Sequence, residues 1–318
     1  MYDITALGEL LIDFTESGLS ANGMKLFERN PGGAVANVLA AAAQCGRKTA
    51  FIGKVGADMH GLFLKDTLEA ASIDTTGLVV AEDVFTTLAF VALSPGGERA
   101  FSFARKPGAD TRLCSGEVDA ALLAKSRILH VGSLSLTDEP ARGATLFAVE
   151  KAKAAGTIIS YDPNYRASLW PDEDTAKAWM RSLLPLADVM KLSDEETALL
   201  TDEADPGRAA LALHALGIPL AAVTLGAKGA LVCANGQTAL ARGYRMPVVD
   251  TTGAGDAFWG GFLHKLLESG KRPVEITLAE ALDCAAWGNA TAALCIGKRG
   301  GIPAMPQKCE IEALLRAN

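Results

Sequence analysis

Residues 128–161 read ILHVGSLSLTDEPARGATLFAVEKAKAAGTIISY, and two short apolar segments flank an amphipathic one in this stretch. The pattern predicts strands near 128–132 and 157–161 and a helix near 138–155 between them. Thr137 is the expected N-cap of this helix, with acidic residues 138 and 139 in its first turn and Gly156 past its end. A strand, a helix and a second strand form a βαβ unit, and such units build parallel sheets. The stretch therefore predicts an α/β fold.

The same alternation of apolar strands and amphipathic helices continues toward the C-terminus. It predicts further elements as follows: a helix near 173–185, a strand near 188–192, a strand at 220–225, a turn at 226–229, a strand at 230–234, and long helices near 254–268 and 278–295. We see no linker or repeat that divides the chain. We therefore expect a single α/β domain over residues 1–318, with a doubly wound and mainly parallel sheet flanked by helices.

Two early stretches do not follow this rhythm. Residues 85–104 alternate in polarity around the sequence SPGGE at 94–98, which predicts a β-hairpin. With residues 11–31, the segment 85–105 could form a small β-sheet lid that closes over a ligand. The alternative is an ordinary hairpin at the edge of the main sheet.

The bulk composition excludes several classes of protein. The chain has 318 residues, of which 49% are apolar, and no apolar run approaches the roughly 18–20 residues that span a bilayer. The N-terminus lacks the basic segment and cleavage site of a secretory signal, so we expect a cytoplasmic protein without a membrane partner. A net charge of -7 argues against a nucleic-acid partner. Six scattered cysteines without a C-x-x-C pair favour buried reduced thiols over zinc.

Residues 250–262, DTTGAGDAFWGGF, form a small-residue turn that runs directly into a predicted helix. The helix start carries unpaired N–H groups and a positive field, and the glycines let a phosphate approach the backbone. Asp256 would lie in the first turn, where it can accept a proton from an attacking hydroxyl. Neither a P-loop nor a G-x-G-x-x-G fingerprint is present here. On these residues alone, an ordinary helix start with a favourable aspartate remains the alternative.

The stretch 250–263 resembles the second signature of the ribokinase-like (PfkB) carbohydrate kinases. The first signature has its counterpart in residues 32–37, GGAVAN, which lead into an alanine-rich helix. The resemblance covers essentially the whole chain. It implies a ribokinase-like fold and an ATP-dependent sugar kinase that uses Mg²⁺.

The resemblance also implies roles for individual residues. Asp256 would be the general base, and the amides of Gly253, Ala254 and Gly255 would form the anion hole for the γ-phosphate. Sugar hydroxyls would be held by four residues near the N-terminus, and ATP by residues of four later segments. The first set is Asp13, Gly32, Gly33 and Asn37, and the second is Lys191, Ser193, Glu196, Thr224, Gly226, Gly229, Gly255 and Asn289.

Two metal sites follow from the same resemblance. Glu196 occupies the position of the family's N-x-x-E glutamate, which would organise Mg²⁺ through water, although Ser193 replaces the asparagine. Without the family, Ser193 and Glu196 match a capping box, and both roles are compatible. Asp250, Thr252 and the backbone near Gly300 match the arrangement that holds a monovalent cation in some relatives, which suggests K⁺.

The choice of sugar depends on two further stretches. Residues 161–170, YDPNYRASLW, resemble the D-x-N-x-R…L-W pattern of fructokinases and 2-keto-3-deoxygluconate kinases, which implicates Asn164 and Arg166. Residues 105–110, RKPGAD, resemble the fructokinase form, in which Arg105 and Asp110 hold hydroxyls from the lid side. An arginine could pair with a ketoacid, but Asp110 would repel its carboxylate.

We therefore predict a fructokinase that binds sugar and ATP. A 2-keto-3-deoxygluconate kinase or another sugar or nucleoside kinase of the family is the first alternative. A non-catalytic protein that senses sugar is the alternative from a different class. An apolar lid would also offer a surface for a homodimer.

Overall fold

The computed structural model describes residues 1–93 and 99–317, so the turn predicted at 94–98 lies outside the described residues. The strands are β1 (Tyr2–Leu7), β2 (Leu11–Leu19), β3 (Lys25–Gly32), β4 (Thr49–Gly56), β5 (Ile73–Ala81), β6 (Leu88–Leu93), β7 (Arg99–Ala104), β8 (Ser126–Val131), β9 (Ile158–Tyr161), β10 (Val189–Ser193), β11 (Leu220–Thr224), β12 (Gly229–Ala234) and β13 (Gln237–Arg242). The helices are α1 (Ala34–Gln44), α2 (Met59–Ala70), α3 (Ala120–Ala124), α4 (Ala141–Ala154), α5 (Glu173–Ser182), α6 (Thr197–Thr201), α7 (Pro206–Ala215), α8 (Ala254–Ser269), α9 (Leu278–Cys295) and α10 (Lys308–Ala317).

The main sheet is mostly parallel. Its strand order is β13-β12-β11-β10-β9-β8-β1-β4-β5, and antiparallel pairing involves β12 and β13 at one edge. From β1 the chain moves outward through β4 to β5, and it then returns to the other side of β1 to continue through β8. The direction of winding therefore reverses between β1 and β8, and the predicted doubly wound α/β fold is confirmed.

Helices cover both faces of the main sheet. Successive residues of a strand point to opposite faces, so Ile128 packs with α1, α8 and α9, whereas Leu129 packs with α3 to α7. Because both faces are buried, strands such as β4 are buried along their whole length. This burial explains why these segments appear as continuous apolar runs in the sequence.

The start of α4 differs from the prediction. The helix begins at Ala141, with Pro140 as its N-cap residue, so residues 138 and 139 precede it. Thr137 is not the cap, because its hydroxyl donates to the carbonyl of Leu134 at 2.9 Å and accepts from Arg105 at 2.7 Å. A proline that lacks an N–H is tolerated at a helix start, and this explains the later boundary.

A second sheet has the strand order β3-β2-β6-β7. It contains the segments from which the sequence predicts a lid, and β6 and β7 form an antiparallel pair, as expected for the hairpin. The alternative of an edge hairpin on the main sheet is wrong, because β6 pairs with β2. Whether this sheet moves as a lid stays a prediction.

The two faces of the second sheet differ. Leu11, Asp13 and Thr15 of β2 face a cavity between the two sheets. On the opposite face, Phe14 stacks on Phe90 with 5.3 Å between ring centroids, and Phe27 meets Phe90 edge-on at 6.2 Å. Aromatic side chains therefore cover the face that points away from the cavity.

None of the helices in the described ranges combines the length and the apolar character that crossing a membrane requires.

Candidate active site

The cavity lies at the carboxyl ends of β1, β8 and β9, where the winding of the main sheet reverses. Ligands of open α/β sheets gather at this type of position. Its volume is about 170 Å³. The residues that line it come from the second sheet, from the loops after these strands and from the start of α8: Glu9, Leu11, Asp13, Thr15, Asn30, Pro31, Gly33, Ala34, Asn37, Val91, Phe103, Leu134, Asn164, Arg166, Asp250, Thr251, Thr252, Gly253, Asp256, Gly300 and Gly301.

Gly253 is the N-cap of α8 and adopts a left-handed backbone with φ of 73°. A side chain here would be strained, and its Cβ would lie 3.2 Å from the Cα of Gly301. The N–H of Ala254 donates to the carbonyl of Thr251 at 3.3 Å, so the following amides of Gly255 and residue 256 are better placed for an incoming anion. The helix start thus has the form of the predicted anion cradle.

Asp256 lies in the first turn of α8 and is buried, with 7% of its surface exposed. The Nδ2 of Asn37 donates to its Oδ2 at 2.8 Å, and the Nδ2 of Asn164 donates to its Oδ1 at 3.3 Å. Burial raises the pKa of this carboxyl to about 6, even though Lys191 and the Asn37 hydrogen bond act to lower it. A carboxyl with this pKa is ionised at pH 7 and is still a useful base.

Asn164 reaches Asp256 through an uncommon backbone conformation. It follows β9 with φ of 48°, in the left-handed region that asparagine tolerates better than most residues. Arg166, two residues later, also lines the cavity and donates to the carbonyl of Tyr165 at 2.9 Å. The D-x-N-x-R stretch therefore supplies an amide and a guanidinium to the cavity.

Lys191 lies beneath the cradle. Its Nζ donates to the Oδ2 of Asp162 at 2.6 Å, and both side chains are buried. Burial opposes the charge of the lysine, but Asp162, Glu196 and Asp256 outweigh it and raise its pKa above the usual value. A Cβ placed on Gly255 would lie 3.2 Å from this Nζ, so the ammonium borders the backbone of the cradle.

The residues expected to hold sugar hydroxyls meet at the start of α1. Asp13 and Asn37 line the cavity, and a Cβ on Gly32 would collide with the carboxylate of Asp13. Gly33 is the N-cap of α1 with φ of 127°, and a Cβ there would collide with the carbonyl oxygen of Glu9. Gly33 is therefore required by close backbone packing, and Gly32 leaves room for the side chain of Asp13.

Glu9 is a cavity residue that the sequence analysis missed. It is buried, and its Oε1 accepts the N–H of Ala34 at 2.6 Å in the first turn of α1. Burial raises the pKa of Glu9 to about 7, although the hydrogen bonds from Ala34 and from its own backbone act to lower it. Its place directly after the apolar strand β1 was the available signal.

Arg105 and Asp110 contact each other rather than the cavity. The Nε of Arg105 donates to the Oδ2 of Asp110 at 2.8 Å, and further donors reach Thr137 and the carbonyl of Leu134. Asp110 also accepts a hydrogen bond from Thr87. Both side chains are buried and lie outside the set that lines the cavity, so a direct role with sugar stays a prediction.

Among the residues predicted to bind ATP, Glu196 forms the expected capping box with Ser193. Its Oε2 accepts the N–H of Ser193 at 2.8 Å, and its Oε1 accepts the N–H of Tyr165 at 2.6 Å. This carboxylate therefore joins the loop after β10 to the loop after β9. It lies outside the residues that line the cavity, and its proposed contact with Mg²⁺ through water is untested.

The remaining ATP-side residues lie around the β11–β12 hairpin. Thr224 donates to the carbonyl of Leu192 at 3.2 Å, and Gly226 and Gly229 have φ of 55° and 104°. The Nδ2 of Asn289 donates to the carbonyls of residues 241 and 242 at 3.0 and 3.1 Å.

Beside this contact an open groove runs between α9 and the segment after β13. Its lining was not predicted and comprises Ala241, Arg242, Gly243, Tyr244, Arg245, Leu282, Asp283 and Ala286.

The predicted cation residues are brought together by hydrogen bonds. The Oδ1 of Asp250 accepts from the N–H and hydroxyl of Thr252 at 3.0 and 2.8 Å, and its Oδ2 accepts the N–H of Gly300 at 3.1 Å. This arrangement ties the loop before α8 to the loop after α9. Across the ranges that the structure describes, no three or more His, Cys, Asp and Glu side chains cluster in a way that could hold a metal ion.

Comparisons with known proteins agree on one family. A family model described as "pfkB family carbohydrate kinase" matches residues 1–308. The chain is 41% identical over 318 residues to "Probable fructokinase-7" of Arabidopsis thaliana, covering 98% of this chain and 92% of that protein. A fructokinase from Xylella fastidiosa, solved with bound ATP, aligns with a TM-score of 0.92 at 32% identity and covers 99% of this chain and 98% of its own.

A second solved relative was crystallised with more ligands. It is a double mutant of the fructokinase from Vibrio cholerae O395 in a form with fructose, ADP and potassium ion bound. It aligns with a TM-score of 0.89 at 34% identity and covers 99% of this chain and 98% of its own.

Proposed function

This chain belongs to the pfkB family of carbohydrate kinases and is an ATP-dependent sugar kinase, and on that basis we propose that its substrate is fructose. The observation that carries the proposal is the acidic lining of the cavity. Asp13, Asp250 and Asp256 contribute carboxylates, and Arg166 is the cationic residue among the described lining residues. Carboxylates accept hydrogen bonds from sugar hydroxyls, whereas they would repel the carboxylate of 2-keto-3-deoxygluconate.

We propose that Asp256 removes the proton from the sugar hydroxyl as that oxygen attacks the γ-phosphate. The amides at the start of α8 and the ammonium of Lys191 would stabilise the negative charge on the transferring group. Asn37 and Asn164 would hold the carboxylate in place, because each donates to one of its oxygens. Positioning and electrostatic stabilisation supply most of the catalysis in phosphoryl transfer.

The donor set is compatible with Mg²⁺ that arrives with ATP. This ion keeps several waters and usually takes one or two carboxylates together with substrate phosphates. Glu196 uses one hydrogen bond on each oxygen, so each oxygen retains a lone pair that can accept from a metal-bound water. We also propose that Asp250, Thr252 and Gly300 hold K⁺, as supported by their mutual contacts and by the potassium-bound relative.

The test of the proposed substrate is the relative kcat/KM for fructose, 2-keto-3-deoxygluconate, ribose and adenosine with ATP and Mg²⁺. We expect fructose to exceed the ketoacid by about 10-fold or more, because a buried unpaired charge is rejected strongly. A higher value for another sugar would overturn fructose but leave the kinase assignment intact. If no sugar is phosphorylated, the non-catalytic sensor becomes the better description.

We propose that two copies of the chain associate through the outer face of the second sheet. Phe27 and Phe90 are 42% and 39% exposed there, and they form one aromatic cluster with Phe14. A contiguous apolar surface of this kind is usually covered.

The compartment that we propose is the cytoplasm, where the free thiols of the six described cysteines would stay reduced.

Light scattering coupled to size exclusion tests the dimer. The expected mass is twice the 33.1 kDa of one chain, and Phe90→Lys should shift the protein toward the monomer. Leu211→Lys is the matched control, because Leu211 is 43% exposed on the remote helix α7. A wild-type protein that elutes as a monomer, or a Leu211→Lys variant that dissociates equally, would contradict the proposed surface.

A further inference from the structure

Asp162 forms a buried ion pair with Lys191, and the proposed mechanism gives a role to the lysine but none to the aspartate. The two residues come from neighbouring parallel strands, because the register aligns Ser160 with Val189 and Tyr161 with Met190. The next pair in this register is Asp162 with Lys191, whose charged atoms are 2.6 Å apart. Their side chains are only 3% and 6% exposed. The strand pairing thus holds the ammonium in one place.

The position of this ammonium is informative. A Cβ on Gly255 would lie 3.2 Å from the Nζ of Lys191, so the charge lies next to the glycine backbone of the anion cradle. Asp162 is the hydrogen-bond partner of this ammonium. A pair that only stabilised the fold would not require a location next to the phosphate-binding backbone.

The second oxygen of Asp162 strengthens this interpretation. Its Oδ1 is buried and lacks a hydrogen-bond partner among the described residues. A buried acceptor without a donor costs free energy, and an apolar residue would avoid that cost. The protein therefore retains a polar side chain at residue 162 at some expense in stability.

We propose that Asp162 is a positioning residue of the phosphoryl transfer. It holds the ammonium of Lys191 against the cradle, and its negative charge offsets part of the effect of Lys191 on the base Asp256. This inference rests on the proposed function, because it assumes that Asp256 is the base. Without Asp162, the charge of Lys191 would act more fully on Asp256. The base would then hold its proton less strongly and would be less effective in removing one from the sugar.

Several groups face Asp256 from the elements packed around it. Lys191 of β10 and Arg166 after β9 lower its pKa, while Asp162 raises it. Glu196, from the loop after β10, acts on Lys191, and Cys295 of α9 is neutral because burial raises the pKa of its thiol to about 12. Among these groups Asp162 is the negative charge that acts on Asp256 itself, and its removal would take that effect away.

The test is the pH dependence of Asp162→Asn, a variant that keeps the size of the side chain and removes the charge. In the wild type, kcat/KM should rise as pH increases through about 6, because Asp256 must lose its proton to act as a base. In Asp162→Asn this rising part of the pH profile, the pH limb, should move to lower pH. The value of kcat on the plateau above it should fall by about tenfold. The KM for ATP should stay equal or decrease, because the new amide oxygen can still accept a hydrogen bond from Lys191 while a negative charge near the phosphates has been removed.

Asp188→Asn is the matched control. Asp188 also lies between β9 and β10, but at their opposite end, where its Oδ2 accepts the N–H of Ile159 at 2.8 Å. This variant should leave the pH limb unchanged. General damage to the sheet would raise the KM for ATP in either variant without moving the limb. An unmoved limb in a folded Asp162→Asn protein would overturn the proposal.

Two further measurements separate this inference from the proposed function. If fructose is not a substrate, the pH limb can be measured with whichever sugar is phosphorylated. If no sugar is phosphorylated, calorimetric binding of ATP provides the second readout. Equal or tighter binding to Asp162→Asn supports the charge argument, and clearly weaker binding overturns it.

If Asp162→Asn does not fold, Asp162→Ser, which leaves space for water, is measured in the same way. Failure of this second variant to fold would show that residue 162 is purely structural.

Discussion

Replacing Asp256 with asparagine is expected to lower kcat by about 10²- to 10⁴-fold, the usual contribution of a general base. The amide cannot accept a proton from the sugar hydroxyl, although its size and position are almost the same. Asn37 and Asn164 now donate to the two carboxylate oxygens, so one of these contacts would be lost to the new NH₂ group. Steady-state kinetics with ATP and fructose measure the effect.

Although its activity falls, Asp256→Asn should be at least as stable as the wild type at pH 7. Burial raises the pKa of Asp256 from 3.8 to about 6, so the stability that this group contributes is present below pH 4 and is lost as pH rises through about 6. Removing the charge should therefore leave the unfolding temperature at pH 7 equal or higher. Asp66→Asn, on the exposed side of α2, is the control for the chemical change itself. Turnover that survives in Asp256→Asn would refute the assignment of the base.

Gly33→Ala should be the most damaging single-methyl change at the site. The glycine has φ of 127°, and the new Cβ would collide with the carbonyl oxygen of Glu9. The backbone conformation alone costs about 1–3 kcal/mol for a residue with a side chain. Because the displaced backbone also carries Glu9 and the start of α1, we expect the free energy of unfolding to fall by about 3 kcal/mol or more, with loss of sugar binding.

Gly46→Ala at the other end of α1 is the matched variant. Gly46 also has a positive φ, at 82°, but a Cβ there would have no atom within 4 Å. It should lose about 1 kcal/mol, the cost of the left-handed backbone alone, and should retain activity. Chemical denaturation of both variants gives the comparison. Equal losses would mean that close packing against Glu9 is not what requires a glycine at position 33.

The fold could be predicted because its signals are local. The βαβ alternation in 128–161 and the turn before α8 are visible within short windows, and the structure has both. The second sheet was harder, because β2 pairs with β6 in parallel and aligns Ile12 with Leu88. Such pairing depends on contacts between distant segments, which a pattern within one segment does not report.

In the candidate site, too, local signals could be recognised in the sequence and contacts between distant segments could not. Asp256 and its glycines form a continuous motif, so they could be singled out as candidates from the sequence, and Gly253 and Asp256 line the cavity. Glu9 was missed because its burial arises from α1 and the second sheet together. Arg105 and Asp110 were expected to hold sugar hydroxyls, and the sequence could not indicate that their charges are directed at each other rather than at the cavity.

The hydrogen bond between Asn37 and Asp256 joins residues 219 positions apart. Translation must therefore pass residue 256 before the proposed base can meet the amide that would orient it. A nascent chain that stops short of this residue would lack the proposed base and would not consume ATP. Catalysis would begin only after α8 has packed beside α1.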